Sequence, residues 1–298
     1  MKRYDTLVIG HVCKDKNTDH LGNTVYAAGG AVLYSSAAAA ALGHHTGVLT
    51  KINESDVSLL KEFRVPVEDV YFICSGNTTL MENTYFTADK EKRLSVCAAR
   101  GEPFSPADLP KDATAEIYHL AGLLNGDYTE DMIPALASLG TVAVDVQGYL
   151  RNAYVSRGGE MYYADWKEKK ELLPYVTFLK TDAAEAEILT GTSDRAEAAK
   201  MLASWGAKEV LITHNSEVLV FAEGSILTCP IKSRDLRGRT GRGDTTFASY
   251  ICERLHETPE KALLTATATV SLKMETPGPF TGTRTQVEKY IKDFYGAF

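Results

Sequence analysis

Apolar and polar positions follow one another in two rhythms along this chain, and each change of rhythm marks an element. Lys2 to Gly10 (KRYDTLVIG) is a short β-branched apolar run closed by glycine, the pattern of a buried strand that ends at the carboxyl edge of a sheet. The stretches Lys14 to Thr18 and Thr24 to Ala28 flank the turn-forming DHLGN and predict a hairpin. Gly29 and Gly30 open an alanine-rich helix over Ala31 to Leu42, ended by Gly43, and Thr46 to Thr50 predicts the next strand. Thr78 to Phe86 and Arg93 to Ala98 predict a second hairpin across the charged turn ADKEK, polar on both faces. Such a hairpin does not belong in a core; it forms an edge, a lid or an interface, through which a homodimer would assemble.

From about residue 114 the alternation becomes regular. Strands at Glu116 to Leu120, Val142 to Val146, Val176 to Leu179 and Glu209 to Thr213 are interleaved with helices at Asp131 to Leu139, near Trp166 to Leu173, at Asp182 to Leu189 and at Arg195 to Trp205. Strands that alternate with helices pair in parallel and carry helices on both faces. Val218 to Ala222 and Ser225 to Pro230 read as antiparallel, followed by an arginine- and glycine-rich loop and helices over Asp244 to Leu255 and Pro259 to Met274. No internal repeat or low-complexity linker interrupts the pattern. The expectation is one α/β domain over residues 1–298, with a small β lid formed by about 14–28 and 78–98.

Composition narrows the function classes. A chain of 298 residues, 44% apolar and 24% charged, has the size and core of an enzyme, and its net charge of -7 exerts no general pull on nucleic acid or anionic lipid. Neither nucleic acid nor membrane is expected as a partner. Five scattered cysteines without a C-x-x-C pair fit a reducing cytoplasm better than a disulfide framework or a zinc knuckle. The run Thr6 to Ile9 is too short for a signal-peptide core, and the uncharged segment Leu21 to Gly43 is broken by Asn23, Thr24, Gly29, Gly30, Ser35 and Ser36. His44 and His45 are adjacent, which is not the spacing of metal ligands on one helix face.

Any anion must therefore be held by a local device, and open parallel sheets hold ligands off the carboxyl ends of their strands. The strongest candidate is Gly238 to Asp244, GRTGRGD, directly before the helix-compatible TTFASYICERL. Its glycines let backbone approach a ligand, and a helix start offers unpaired N–H groups to a phosphoryl group. Asp244, ionised there, is placed to accept a proton from a hydroxyl that attacks a γ-phosphate; the plainer alternative is an N-cap beside turn glycines. Asp182 and Glu185 form D-x-x-E, either a capping box or carboxylates for a metal. Arg151, with Asp145 and Gln147, follows a predicted strand and is either a phosphate fork or an exposed helix-start arginine. Asp15 sits in a charged K-D-K stretch, and Arg234, Arg237, Arg239 and Arg242 crowd one loop, which suits a triphosphate better than a nucleic-acid patch. The P-loop pattern is absent, and Gly10 is followed by HVCKD, not by a dinucleotide-binding G-x-G-x-x-G.

TGRGD resembles the T-G-A-G-D signature of the ribokinase (PfkB) family of carbohydrate and nucleoside kinases, and the likeness extends over nearly the whole chain. GHVCKD resembles the family's first strand and sugar-binding aspartate, Gly29 and Gly30 its double glycine, and DAAE its N-x-x-E element. The phrases YAAGGAVLYSSA, TTLMENTYF, VDVQGYLR, KTDAAEAEILTG, ITHNSE and GRTGRGDT are most similar to the myo-inositol kinase branch. The resemblance implies a ribokinase-like three-layer α/β/α sandwich with a mostly parallel sheet and a small β lid. It makes Asp244 the general base, with Gly241, Arg242 and Gly243 as the anion hole. Asp15, Gly29, Gly30, Asn83 and Gln147 would take a polyol or sugar, myo-inositol first. Arg151, Asp182, Glu185, Thr213, Asn215, Thr240, Gly241 and Gly243 would take ATP, with Glu185 holding Mg2+ through water, and whether a monovalent cation is also needed is left open. Another sugar or sugar phosphate, or a non-catalytic regulator with the same fold, are the alternatives. Four positions depart from the family: Tyr34 replaces the asparagine after the double glycine, Arg242 the signature alanine, Asp182 an asparagine, and Thr213-His214-Asn215 the adenine-side T-x-G.

Overall fold

The computed structural model describes residues 1–87 and 93–296, so the expected ADKEK turn at 88–92 lies outside the described residues. In chain order the strands are β1 (Lys2–Ile9), β2 (Cys13–Thr18), β3 (Thr24–Gly29), β4 (Thr46–Ile52), β5 (Val70–Cys74), β6 (Thr79–Tyr85), β7 (Arg93–Ala99), β8 (Ala113–Leu120), β9 (Thr141–Asp145), β10 (Arg151–Tyr154), β11 (Glu160–Tyr163), β12 (Phe178–Asp182), β13 (Glu209–Thr213), β14 (Glu217–Ala222) and β15 (Ser225–Pro230). The helices are α1 (Ala31–Ala41), α2 (Met132–Ala137), α3 (Gln147–Leu150), α4 (Lys169–Leu172), α5 (Ala183–Thr190), α6 (Arg195–Ser204), α7 (Arg242–Glu253), α8 (Pro259–Lys273) and α9 (Arg284–Tyr295).

Among the described residues, nine strands form the large sheet in the order β15-β14-β13-β12-β9-β8-β1-β4-β5. From β5 to β13 every pairing is parallel, and β14 and β15 add an antiparallel edge. Both faces are covered, as parallel sheets require. On one side Met132, Ile133 and Leu136 of α2 and Ala198, Ala199 and Leu202 of α6 join the core; on the other, Ala39 of α1, Phe247, Tyr250 and Ile251 of α7 and Ala262, Leu263 and Ala266 of α8 do so. The alanine content of α1 and α8 lets the second layer lie close. The expected sandwich is therefore the one that forms.

The second sheet, ordered β10-β11-β7-β6-β2-β3, contains both predicted hairpins and is larger than expected. β10 and β11 extend it, although RNAY and EMYY lack an alternating apolar run. Their pairing is local: Tyr154 and Tyr162 stack with ring centroids 3.9 Å apart, and Gly159 (φ 89°) brings its carbonyl to the Cys97 N–H at 2.9 Å. A Cβ on Gly159 would lie 2.1 Å from the Cys97 carbonyl oxygen, so only glycine permits that approach. β5 and α9 were not expected either. α9 carries a legible start signal in retrospect, the Thr283–Gln286 capping box.

Where β1 ends, Gly10 passes the residue after β8 without clearance, since a Cβ there would sit 2.4 Å from the Ala121 carbonyl oxygen. Gly10→Ala is therefore expected to cost about 1–3 kcal/mol of stability, read as a lower denaturant midpoint, with the slope unchanged. An unchanged midpoint would mean that the two strand ends are free to separate.

Candidate active site

The glycine-rich loop delivers its backbone to the start of α7. Gly241 is the N-cap, in left-handed conformation at φ 76°, and α7 begins at Arg242. Asp244 is thus the third residue of the helix and not its cap, which removes the plainer reading of that residue. A Cβ on Gly241 would meet the Tyr34 ring at 2.1 Å, and one on Gly243 would meet the Lys180 Cε and Nζ at 3.1 and 3.2 Å. The absent side chains let an aromatic ring and an ammonium lie directly against the first turn, whose leading N–H groups have no acceptor within the helix.

Lys180 comes from β12 and pairs with Asp145 at the end of neighbouring β9, at 3.0 and 3.1 Å to the two carboxylate oxygens. Both side chains are buried. Burial disfavours the ammonium, but Asp145, Glu185, Asp244 and Asp182 outweigh it and hold the lysine charged. Gln147 donates its backbone N–H to Asp145 at 3.1 Å. Asp244 is half-buried in this cluster: burial and then Asp145 push its carboxyl up to about 6, against Lys180, Lys273 and Arg151. Three cations from β12, α8 and β10 therefore converge on one carboxylate at a helix start.

Asp182 and Glu185 do form the capping box, each side chain accepting the other's backbone N–H at 2.8 Å. Glu185 is buried, and burial, then the nearby Asp182 and Asp145, raise its carboxyl despite Lys180. No group of three His, Cys, Asp or Glu side chains gathers as a metal cage among the described residues. Two adjacent carboxylates suit Mg2+, whose shell is completed by substrate phosphates and water. Thr213 lies beside Asp182 in register at the end of β13 and is buried, whereas Asn215 is exposed in the following turn and Thr240 is exposed in the loop before α7.

Arg151 is neither exposed nor at a helix start. It opens β10, is buried, and is one of the charges that act on Asp244. From the second sheet comes Asp15, whose carboxylate lies over Gly29 where a Cβ would reach within 2.2 Å, and which accepts the Cys13 thiol at 3.1 Å. Gly30 opens α1 at φ 104°, a conformation that glycine adopts readily. Burial, then Asp15 and Asp244, raise the hydroxyl of Tyr34, so that one phenol feels a carboxylate from β2 and another from α7. Asn83 is bound within the second sheet, donating to Asn17 at 3.1 Å and accepting from Ser95 at 2.7 Å.

The model of the pfkB family carbohydrate kinases matches residues 4–286. The chain belongs to this family. Its fold is similar to that of a pyrophosphate-dependent kinase in the ribokinase family complexed with a pyrophosphate analog and myo-inositol, at TM-score 0.84 and 35% identity over 95% of this chain and 99% of that one. A pyrophosphate-dependent myo-inositol-1 kinase, converted by a double mutation into a myo-inositol-3 kinase, is 34% identical at TM-score 0.83, over 97% and 99%. A cytidine kinase of Thermococcus kodakarensis is 26% identical over 260 residues, 83% of this chain and 87% of that protein. As a pfkB carbohydrate kinase the chain is a phosphotransferase acting on an alcohol group.

Lys180, Lys273 and Tyr34 carry much of this kinase's site geometry, yet sequence reasoning treated none of them as functional, and Tyr34 only as a departure. Their signals were polar atoms in places that should be apolar: a lysine inside the buried strand FLKTD, another at the end of a buried helix, and a tyrosine hydroxyl in a run of alanine. Lys180→Met leaves Asp145 buried beside no counter-charge. The variant is expected to lose about 3–5 kcal/mol of unfolding free energy in a denaturant titration at neutral pH. A loss under about 1 kcal/mol would mean that water reaches the pair.

Proposed function

We propose that this kinase transfers a phosphoryl group from pyrophosphate to a hydroxyl of myo-inositol, with Asp244 taking the proton. The observation that carries the reading is the packing around α1: the Tyr34 ring lies against Gly241, three residues before Asp244, and the Asp15 carboxylate lies over Gly29 at the entry to the same helix, which supports an acceptor-side carboxylate and a base facing one cleft. In the step, the acceptor oxygen bonds to phosphorus, the bond to the leaving phosphate breaks with its electron pair, and the hydroxyl proton passes to Asp244. Lys180, Arg151 and the first turn of α7 stabilise the charge that builds on the transferred group. Glu185 and Asp182 are the residues that would hold Mg2+, which would supply positive charge to offset that of the donor. The second sheet acts as the lid, presenting Asp15 to a neutral polyol that offers only hydroxyls to recognise, with Asn83 tying Asn17 and Ser95 together within that sheet.

Two observations favour pyrophosphate over the ATP that the family likeness implies. The neighbours at 34–35% identity are described as pyrophosphate-dependent. At the place of the adenine-side T-x-G, the His214 ring pairs with Ser216 at 3.0 Å and an exposed Asn215 stands where the family has glycine. ATP is the second arm of the assay.

With Mg2+ and pyrophosphate, kcat/KM for myo-inositol is expected to exceed that for ribose, fructose, adenosine and cytidine by at least about tenfold, because each unmatched hydroxyl strands a buried polar group. Asp15→Ala should lower it sharply and leave donor binding intact. Turnover with ATP and none with pyrophosphate would overturn the donor; preference for a furanose would overturn the acceptor.

Asp244→Asn should reduce kcat by at least about two orders of magnitude with little change in donor affinity. A carboxyl raised to about 6 takes up its proton as the pH falls through that value, so the base is lost there and not near the ordinary value of about 4. The wild-type kcat is expected to have an acid limb near pH 6, absent from the residual rate of the variant. Near-normal turnover in Asp244→Asn would remove the residue from the mechanism.

A further inference from the structure

The loop ahead of α7 turns two of its carbonyls, those of Gly238 and Thr240, toward a single point, and the Lys273 ammonium occupies it. Lys273 ends α8, is 1% exposed, and donates Nζ to both oxygens, at 2.5 Å to that of Gly238. The face of Tyr34 lies 5.2 Å from the same Nζ, and that ring closes on Gly241. The surroundings leave the loop one course. Gly238 donates its N–H to the Met274 carbonyl at 2.8 Å, and a Cβ on it would fall 1.9 Å from the Thr276 carbonyl oxygen. No carboxylate lies in salt-bridge range of Lys273 among the described residues; its acceptors are main-chain carbonyls.

Such a placement is costly without a purpose. A lysine is seldom fully buried, and a buried ammonium that meets carbonyls and a ring has dipoles as its counterpart. Carbonyl oxygens gathered out of water are otherwise satisfied by a dehydrated monovalent cation. The monovalent cation left open by the sequence therefore does not fit this loop, because a side chain of the protein already fills the carbonyl point beneath it.

We infer that Lys273 is a tethered monovalent cation: its ammonium holds the Gly238 and Thr240 carbonyls inward, so that the amides at Gly241, Gly243 and Asp244 are set for a phosphoryl group without K+ or Na+. Lys273 is then a positioning residue, acting through the loop, and the inference rests on the reading of that loop as the donor site.

The test compares wild type and Lys273→Ala, full chain, in buffers whose monovalent cation is tetramethylammonium, Na+, K+ or ethylammonium. Wild-type kcat is expected to agree within about twofold across all four. In the variant, kcat in tetramethylammonium should fall by at least about tenfold at unchanged acceptor KM, and K+ or ethylammonium should restore part of it, which a merely structural loss would not allow. Amide hydrogen exchange over residues 238–246 gives a readout without catalysis. It should be cation-independent in wild type, faster in Lys273→Ala and slowed again by K+. A wild type whose rate or loop exchange depends on K+ overturns the inference, as does a variant that matches wild type in tetramethylammonium. If no phosphoryl transfer occurs in any buffer, the proposed function fails and the exchange arm alone decides the role of Lys273. If the variant does not fold, the wild-type cation series decides it.

Discussion

A buried ion pair set under a helix start organises this molecule. Lys180 and Asp145 face each other from adjacent parallel strands, in register, below the first turn of α7. Alone, either charge would be too costly to bury; together, with a backbone N–H on the carboxylate, they place a fixed positive charge where the helix N–H groups also point. The neighbouring residues conform to the pair. Gly243 has no Cβ because the ammonium lies there, and α7 packs on the sheet through Phe247, which meets the buried His119 ring edge-on. Burial and the Lys180 charge hold that imidazole down to about 3, so it stays neutral and adds no third cation to the cluster.

The two sheets divide the work between them. The large sheet and its helices hold Lys180, Asp145, Glu185 and Lys273 buried, where side chains have little freedom to reorient, with Asp244 half-buried beside them. The smaller sheet carries Asp15, Asn83 and Arg151, and the chain crosses repeatedly between the two, at Gly10, Gly30 and the ends of β7 and α3. One of these crossings is clasped. Arg100, after β7, reaches Asp127 at 3.0 Å, and Asp127 also accepts the N–H groups of Leu123 and Leu124 in the loop after β8. The smaller sheet is thus anchored at its root, and the outer strand β3 remains exposed at Val25 and Tyr26.

Much of this fold was legible because its signals are local. The β-branched run of β1, the strand-helix alternation after residue 114 and the two polar hairpins follow from side-chain period and turn residues, which are properties of neighbouring positions. So are the D-x-x-E capping box and the glycine-rich start of α7. Boundaries moved where local pattern was weak: β12 runs over Phe178–Asp182, later than the apolar run alone implied, and α7 begins two residues before Asp244. β10 and β11 were missed because a four-residue strand without alternation is defined by its partner, here β7 through Gly159, and not by its own composition.

By itself the sequence determined the layered α/β architecture, the place of the glycine-rich turn before α7 and the carboxylate that follows it, since each depends on residues within one turn or strand of each other. Tertiary structure alone decided which charges share that turn. Lys180 and Asp145 are 35 positions apart, and Arg151, Lys273 and Tyr34 arrive from three further elements. It also decided that Arg151 is buried, that Asp244 is raised and that Lys273 meets carbonyls instead of solvent. The reason is physical: period and propensity act over a few residues, whereas the energy of a buried charge is set by whatever the fold brings within several ångströms of it.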